Sequence, residues 1–357
     1  SPRKREVLVD SLLASEDFVE YMSLRLGDIL RIKAEFPINL WPNAAQAYTR
    51  FVRKSLSDGS GWDDMAKKML SSSGSNFRVG EVNFMRAMQS RTPESVASCA
   101  ALTFMCARFD KIPEERRKAF ASFFSRVGYK PTKEWKEEIV FDDPARRAPF
   151  VGVFPDGTAA SFPAGVSPRA AFADWLARKG NPYFAKAFAN RMWAWFFGSP
   201  IVSPVDDMFF SQNPPVSARL LDVLASRFER SNFDIRALAR LIATSAAYSQ
   251  SFIPDPSNDP VSARENFAVY PVRRLDAEIL IDSVCSVTGT SETYSSTTPE
   301  PYTTMPDSTA SVDLPDGSVT TPFLELFGKP PRDTGYADER AGLPSSSQKL
   351  HMLNSSQ

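Results

Sequence analysis

Histidine is almost missing from this chain: of 357 residues only His351, near the end, carries an imidazole. That scarcity excludes a His-dependent triad or a His-rich metal site, save one built on that single residue. Cysteine is scarce too. Cys99 and Cys106 stand seven apart in a helical pattern, on one face but about 10 Å apart along the axis, too far for a disulfide. Cys285 is isolated in another apolar helix. All three read as small buried side chains rather than reactive thiols, and they say little about compartment. No CxxCH run, glycine-rich phosphate loop or GxSxG elbow occurs. No apolar run approaches about 20 residues, so no membrane span is expected. A signal peptide is lacking as well. The opening SPRKREVLVD, without an initiator Met, reads as the interior of a longer chain, which leaves room for a removed targeting segment.

Net charge is absent in the same sense. Lys plus Arg and Asp plus Glu number 42 each, so no global field favours nucleic acid or anionic lipid. The most basic-looking run, Glu114-Glu115-Arg116-Arg117-Lys118, is mixed in sign and has no interleaved aromatic. It reads as a solvated helix face, and nucleic acid is not an expected partner.

What the chain does have is helix. The stretch from Ala170 to Pro215 organises the rest, with Asn181 as N-cap, Pro182 at the first helical position and Gly198 as the stop. Phe184, Phe188, Met192, Trp195 and Phe196 line one face, and Ala185, Ala189, Trp193 and Phe197 another, the pattern of a buried helix. Trp175, Trp193 and Trp195 could stack on sugars, but inside an apolar helix the competing reading is core. Only Asn190 and Arg191 interrupt the helix midway. A buried guanidinium needs an acid or a carbonyl, and Asp206 and Asp207 are the nearest acids.

Before this stretch, roughly six helices are expected in the first ~130 residues, joined by short loops. Ser15 caps one bearing Phe18, Tyr21, Met22 and Leu26. Thr92-Pro93 opens another through SVASCAALTFMCARF, and a third runs between Glu114 and Val127. Between Pro131 and Pro168, EEIVF and FVGVF are short β-like runs, and Pro155-Asp156-Gly157 marks a hairpin between FVGVF and TAASF. Later, Asn232 caps a helix with Ile235, Leu238, Leu241 and Ile242, and a further helix covers Arg273 to Val287. The Ser/Thr/Pro-rich stretch from 286 to 321 reads as a mobile excursion, or else as a ligand-contacting loop. The expected fold is mainly α: a helical domain over 1–130, a β hairpin connector over 131–168 and a second helical domain over 169–357.

Two acidic sets carry the candidate chemistry. Asp206-Asp207 suits a hard-cation site, paired-carboxylate acid/base work, or an ion-pair network with Arg191 and with Arg273 or Arg274. In the expected helix Arg274, Glu278 and Asp282 recur every four residues. Glu278 and Asp282 could flank a cleft; alternatively Arg274 pairs with Glu278 while Asp282 meets another element. Arg332-Asp333 and Glu339-Arg340 fit loops pinned by charge.

Several phrases, in order, carry a resemblance. They are WLARKGNPYFAKAFANRMWAWFFG, IVSPVDDMFFSQNPP with ARLLDVLASRF, LIATSAAYSQS, PVRRLDAEILIDSVCSVTG, FLELFGKPPRD, Glu339-Arg340 and SQKLHMLN. Over roughly residues 169 to 354 the chain resembles the C-terminal member of paired domains of unknown function that often accompany a planctomycete cytochrome c domain. LVDSLLASEDFVEYMSLRLGDILR and CARFDKIPEERRKAFASFFSRV resemble the N-terminal member more loosely. Relatives usually carry a Cys-Ala-x-Cys-His run at the second phrase. Here Cys106-Ala107-Arg108 is followed by Phe109 and Asp110, so one thiol and no nearby imidazole remain, and c-type haem is not expected. No other cofactor is expected either. The resemblance implies an exported protein of the periplasm or cell surface. The first expectation is therefore a non-catalytic envelope or surface protein that binds or scaffolds, with a glycan or a glycoprotein such as mucin as ligand. The alternatives are a carboxylate- or metal-dependent polysaccharide hydrolase using Asp206, Asp207, Glu278 and Asp282, and a haem-free relic of an electron-transfer assembly.

Overall fold

The structure, a computed structural model, describes residues 3–211, 213–298, 303, 305–306 and 308–354. From the N-terminus the chain forms α1 (Lys4–Ala14), α2 (Glu16–Ile29), α3 (Pro42–Ser57), α4 (Trp62–Ser71), β1 (Gly74–Ser75), α5 (Pro93–Met105) and α6 (Glu114–Ser122). Four strands follow: β2 (Val127–Pro131), β3 (Glu138–Asp142), β4 (Phe150–Val153) and β5 (Ala159–Phe162). Helix then returns as α7 (Pro168–Leu176), α8 (Phe184–Phe197), α9 (Ala218–Arg230), α10 (Ile235–Ala243), α11 (Pro260–Glu265), α12 (Ala277–Thr288), α13 (Pro322–Leu326) and α14 (Ser346–Asn354). The protein is mainly α, and no helix among the described residues is long and apolar enough to cross a membrane.

Local chemistry sets the helix ends, and it moves several expected ones. Thr92 caps α5 as its sequence implies, its hydroxyl accepting the Ser95 N–H. At the other end α5 stops at Met105, because Cys106 takes a left-handed φ of 47°. Cys106 is therefore not on one helix with Cys99. Its thiol donates to the Ala187 carbonyl at 3.5 Å, and burial pushes its pKa up to about 12. The expected helix ending at Val127 stops at Ser122, and Val127 opens β2 instead. α8 starts at Phe184, later than the sequence suggests. Asn181 still caps it from outside, its Oδ1 accepting from the backbone N–H of Tyr183 and of Phe184 at 3.0 and 3.2 Å. Gly198 closes the helix at φ 74°, as expected. Asp234, not Asn232, caps α10, accepting from the N–H groups of Arg236 and Ala237. Asn232 accepts from Lys179.

The strands form two small antiparallel sheets. β3 pairs with β2 on one side (Val127↔Asp142) and with β1 on the other. Apart from Pro131, the strand partners of the EEIVF run lie outside the 131–168 segment. β4 and β5 make the hairpin around Pro155-Asp156-Gly157 that the turn residues dictate. The apolar core does not part at this segment. One cluster runs from Val19 to Phe267, and Phe123 packs its ring on Phe150, Phe154 and Phe172 at 4.9, 5.0 and 5.6 Å between centroids. α8 lies at its centre: Phe188 meets Trp62 and Phe228, and Trp193 stacks on Phe197. Trp175, Trp193 and Trp195 are all core.

A smaller cluster of Ala277, Ile281, Leu314, Val319, Phe323 and Phe327 gathers the C-terminal segment. Residues 299–302, 304 and 307 of the Ser/Thr/Pro-rich stretch lie outside the described residues. The rest of it from 308 onward is docked rather than loose. Asp316 accepts the Ala34 N–H at 2.8 Å, Thr49 donates to the Pro315 carbonyl at 2.6 Å, and Arg53 pairs with Asp313. Low apolar periodicity concealed this, because backbone and carboxylate groups make the attachment.

Because both halves share α8's packing, Phe188→Ala should destabilise the protein by about 3–5 kcal/mol. Urea unfolding followed by far-UV circular dichroism and by tryptophan fluorescence should give coincident transitions from residue 19 to 267. Two separated transitions would show that the core divides.

Candidate functional site

Arg191 projects from the middle of α8 and is 1 % exposed. The last turn of α5 leaves its carbonyls without helical partners, and Arg191 supplies them: Nη1 donates to Thr103 O at 2.7 Å and Nη2 to Leu102 O at 3.0 Å. Nη2 also meets Asp206 Oδ1 at 3.0 Å, while Asp206 Oδ2 accepts the Ala337 N–H at 2.6 Å. Asn190, the neighbouring interruption, accepts from the N–H groups of Ile201 and Val202 and donates to Val202 O, fixing the turn after α8.

Asp207 points elsewhere. It accepts from the Ser211 hydroxyl at 2.6 Å, so the adjacent carboxylates do not converge. Arg273 and Arg274 do not reach Asp206 either. Arg273 donates to Trp195 O at 2.6 Å, and Arg274 to Phe327 O and Ala341 O at 2.6 and 2.7 Å. Arg273 thus closes a carbonyl at the end of α8 and Arg274 one at the end of α13, the role Arg191 plays at α5.

A second knot forms where the chain returns to its beginning. α12 starts only at Ala277, so Arg274 precedes it and cannot pair with Glu278 along a helix. Glu278, wholly buried, instead takes a two-pronged contact from Arg340, at 2.7 and 3.0 Å. Arg340 also donates to Asp28 at 3.0 and 2.8 Å, and Arg332 meets the other oxygen of Asp28 at 2.9 Å. Gly27 is what admits Arg332: a Cβ there would lie 3.0 Å from the guanidinium. Burial alone would raise the Asp28 carboxyl, but Arg340, Arg332 and Arg25 hold it below its ordinary value. Asp276 behaves likewise, with burial opposed by Arg25 and Arg340, and it accepts from Tyr21 Oη.

The remaining acids serve backbone. Asp282 accepts from the N–H groups of Ser311 and Val312 at 2.7 and 3.0 Å. Glu339 accepts from those of Asp333, Thr334 and Gly335, while Lys33 pairs with Asp333. Among the described residues no group of three His, Cys, Asp or Glu side chains is placed to hold a metal. His351 sits edge-on to Phe323 and Phe327, as a core ring does.

Beside the second knot lies an open groove of about 940 Å³, between α2, the end of α8 and the start of α12. Tyr21, Trp195, Tyr248, Arg273, Asp276 and Asp282 line it. Asp206, Asp207 and Glu278 do not. Arg25 lies over Trp195 at 5.3 Å from the ring centre, holding one wall. Glu20 also faces the groove, and burial together with Asp313 raises its carboxyl. Tyr21, Tyr248 and Asp276 carry no local motif. Tyr21 and Asp276 come together only through the meeting of α2 with the start of α12, some 250 residues apart in sequence.

Asp28→Ala should cost about 3–5 kcal/mol, since it strands Arg332 and Arg340 in a buried site. The folded pKa values of Asp28 and Asp276 are depressed, so their contribution is full above an unfolded value of about 3.9 and is lost as pH falls through the folded values. Urea midpoints from pH 7 to pH 3 should therefore drop steeply in the native protein at the acid end. In Asp28→Ala that acid drop should be shallower.

No curated protein and no solved structure matches the chain. A family model described as "Protein of unknown function (DUF1553)" matches residues 168–357. The match opens on the first residue of α7 and takes in Arg191, Asp206, Glu278, Arg332 and Arg340, while Asp28 falls before it. With more than half of its 357 residues matched, the chain belongs to the family described as Protein of unknown function (DUF1553).

Proposed function

We propose that the protein is a non-catalytic binding or scaffolding component of the cell envelope or surface, and that its groove takes a glycan or a glycoprotein such as mucin. One observation carries this reading: the acids suited to chemistry are closed off by arginine, hydroxyl or backbone N–H groups, whereas the adjacent groove stays open. Its walls pair aromatic faces with polar edges. Tyr21 and Tyr248 offer apolar surface for the C–H face of a sugar, and Arg273, Asp17 and Glu20 offer donors and acceptors for hydroxyls. Export to the surface rests on the resemblance described above.

A hydrolase working through Asp206, Asp207, Glu278 and Asp282 needs those carboxylates gathered at one cleft. Of the four, only Asp282 borders the groove, and both its oxygens already accept backbone N–H groups. The haem-free relic reading gains nothing from Cys106, whose thiol is enclosed against Ala187.

Immobilised mucin and a panel of neutral oligosaccharides provide the test. The native protein should bind, and Ser283→Trp, which fills the groove from an exposed position on α12, should weaken binding about tenfold or more. Arg273→Ala should weaken it to a lesser extent. No binding by the native protein at millimolar sugar, or equal binding by Ser283→Trp, would overturn the proposal.

A further inference from the structure

A second surface displays an exposed tryptophan among charged groups. The β2–β3 hairpin ends in a six-residue tip, 132–137, whose shape is fixed on both sides. The Thr132 N–H donates to Glu137 O at 3.0 Å, the Thr132 hydroxyl donates to the Glu137 carboxylate at 2.6 Å, and Ser75 reaches the same carboxylate. Asn76 donates to Lys136 O at 3.2 Å. The tip therefore holds a single shape, and that shape leaves Trp135 68 % exposed. A ring of this size gains the fold little by standing in water.

Lys136 takes φ 64°, and its ammonium sits 5.4 Å from the centre of the Trp135 ring and 5.8 Å from that of Trp41. Trp41 is itself strained. It holds φ 75° and ψ 145°, a region almost confined to glycine. The Ala34 carbonyl accepting its N–H and the first turn of α3 donating to its own carbonyl keep it there. Two segments far apart in sequence are thus shaped to bring two indoles against one ammonium.

The charge around the tip is one-sided. Lys130, Lys133 and Lys136 are exposed. Of the three acids in the same run, Glu137 is occupied by Ser75 and Thr132, and Glu138 by Arg86 and Arg91, which leaves Glu134 as the exposed one. We propose that Trp41, Trp135 and Lys136 form a second glycan contact selective for acidic sugars. The open face of Trp135 stacks on a sugar ring, and the indole-held ammonium of Lys136 meets its sulfate or carboxylate. A strand of nucleic acid would want successive stacking rings along a basic channel; here one ring is largely exposed, with Lys136 over it. This inference rests on the glycan reading but uses a different surface from the groove.

The test measures binding of the full chain to chondroitin sulfate, to desulfated chondroitin (uronate only) and to neutral dextran, with a single-stranded oligonucleotide as competitor. The native protein should bind at least one of the acidic polymers and prefer it to dextran, and added salt should weaken that binding. Loss of only the desulfated arm would assign the anion as sulfate, and equal binding to both acidic polymers would assign it as uronate. Trp135→Ala and Lys136→Ala should each weaken acidic-polymer binding about tenfold, with unchanged far-UV circular dichroism. Lys136→Arg should retain most of it, and the groove-filling Ser283→Trp should leave it intact. The proposal is overturned if neither acidic polymer binds, if the two tip variants bind as the native protein does, or if the oligonucleotide binds more tightly and is itself lost in Trp135→Ala. Mucin binding that needs the groove but not the tip would leave the proposed function standing and overturn this inference alone.

Discussion

Arg191 sits in the apolar heart of the protein, where a lone guanidinium could not survive. It is tolerated because α5 ends beside it and because Asp206 supplies a countercharge. That one contact sets three things at once. It fixes the height of α8 against α5. It closes the C-terminus of α5, which Cys106 has just broken with its left-handed turn. Through the second oxygen of Asp206 it reaches Ala337, so the loop before Arg340 is tied to the same point. The aromatic packing around Phe188 and Trp193 supplies most of the cohesion, but it is non-directional. Position comes from the guanidinium.

The same device recurs at other buried points of the backbone. Arg31 donates to Ala87 O and to Ile29 O, and Arg332 to Leu24 O and Ile32 O. Arg169 bridges from α7 to Ser72 O and Asp142. Carbonyls at the ends of α4, α5 and α8 are answered by arginines from elsewhere in the chain. Asp142 and Asp206 balance the charge of Arg169 and Arg191, whereas the equally buried Arg31 is held by carbonyls and the Thr103 hydroxyl. A neutral overall charge therefore hides strong local pairing between segments hundreds of residues apart, as Asp28 with Arg332 and Arg340 shows.

This explains what was legible in the sequence. The buried α8, its Gly198 stop, the Thr92 cap, the hairpin at Pro155-Asp156-Gly157 and the pairing of Arg191 with Asp206 rest on local rules: periodicity, capping and turn chemistry, or the nearest acid. The misplaced ends have local causes that periodicity does not see. Asn232 looked like a cap, but Asp234 stood two residues nearer to the helix. Val127 fitted the apolar stripe of α6, yet the sheet with β3 took it. The Arg274–Glu278 pair assumed a helix three residues before it starts. The groove was not legible at all, because its walls meet only when α12 returns to α2. The tip at Trp135 was equally silent, since an exposed tryptophan is indistinguishable in sequence from a buried one.

A fold that relies on arginine to finish its helices ties its buried carboxylates into the architecture. Asp28, Asp206 and Glu278 each answer a guanidinium, and Asp282 and Glu339 answer backbone N–H groups. Releasing any of them to act on a substrate would leave a buried charge or donor unanswered, a penalty of several kcal/mol in a molecule whose whole margin is of order 10. Groups at the surface carry no such obligation. The exposed face of Trp135 and the ammonium of Lys136 can change partners without loosening the core. Recognition can vary on such a scaffold while the architecture stays fixed, and that separation is the physical reason to look for function at its surfaces.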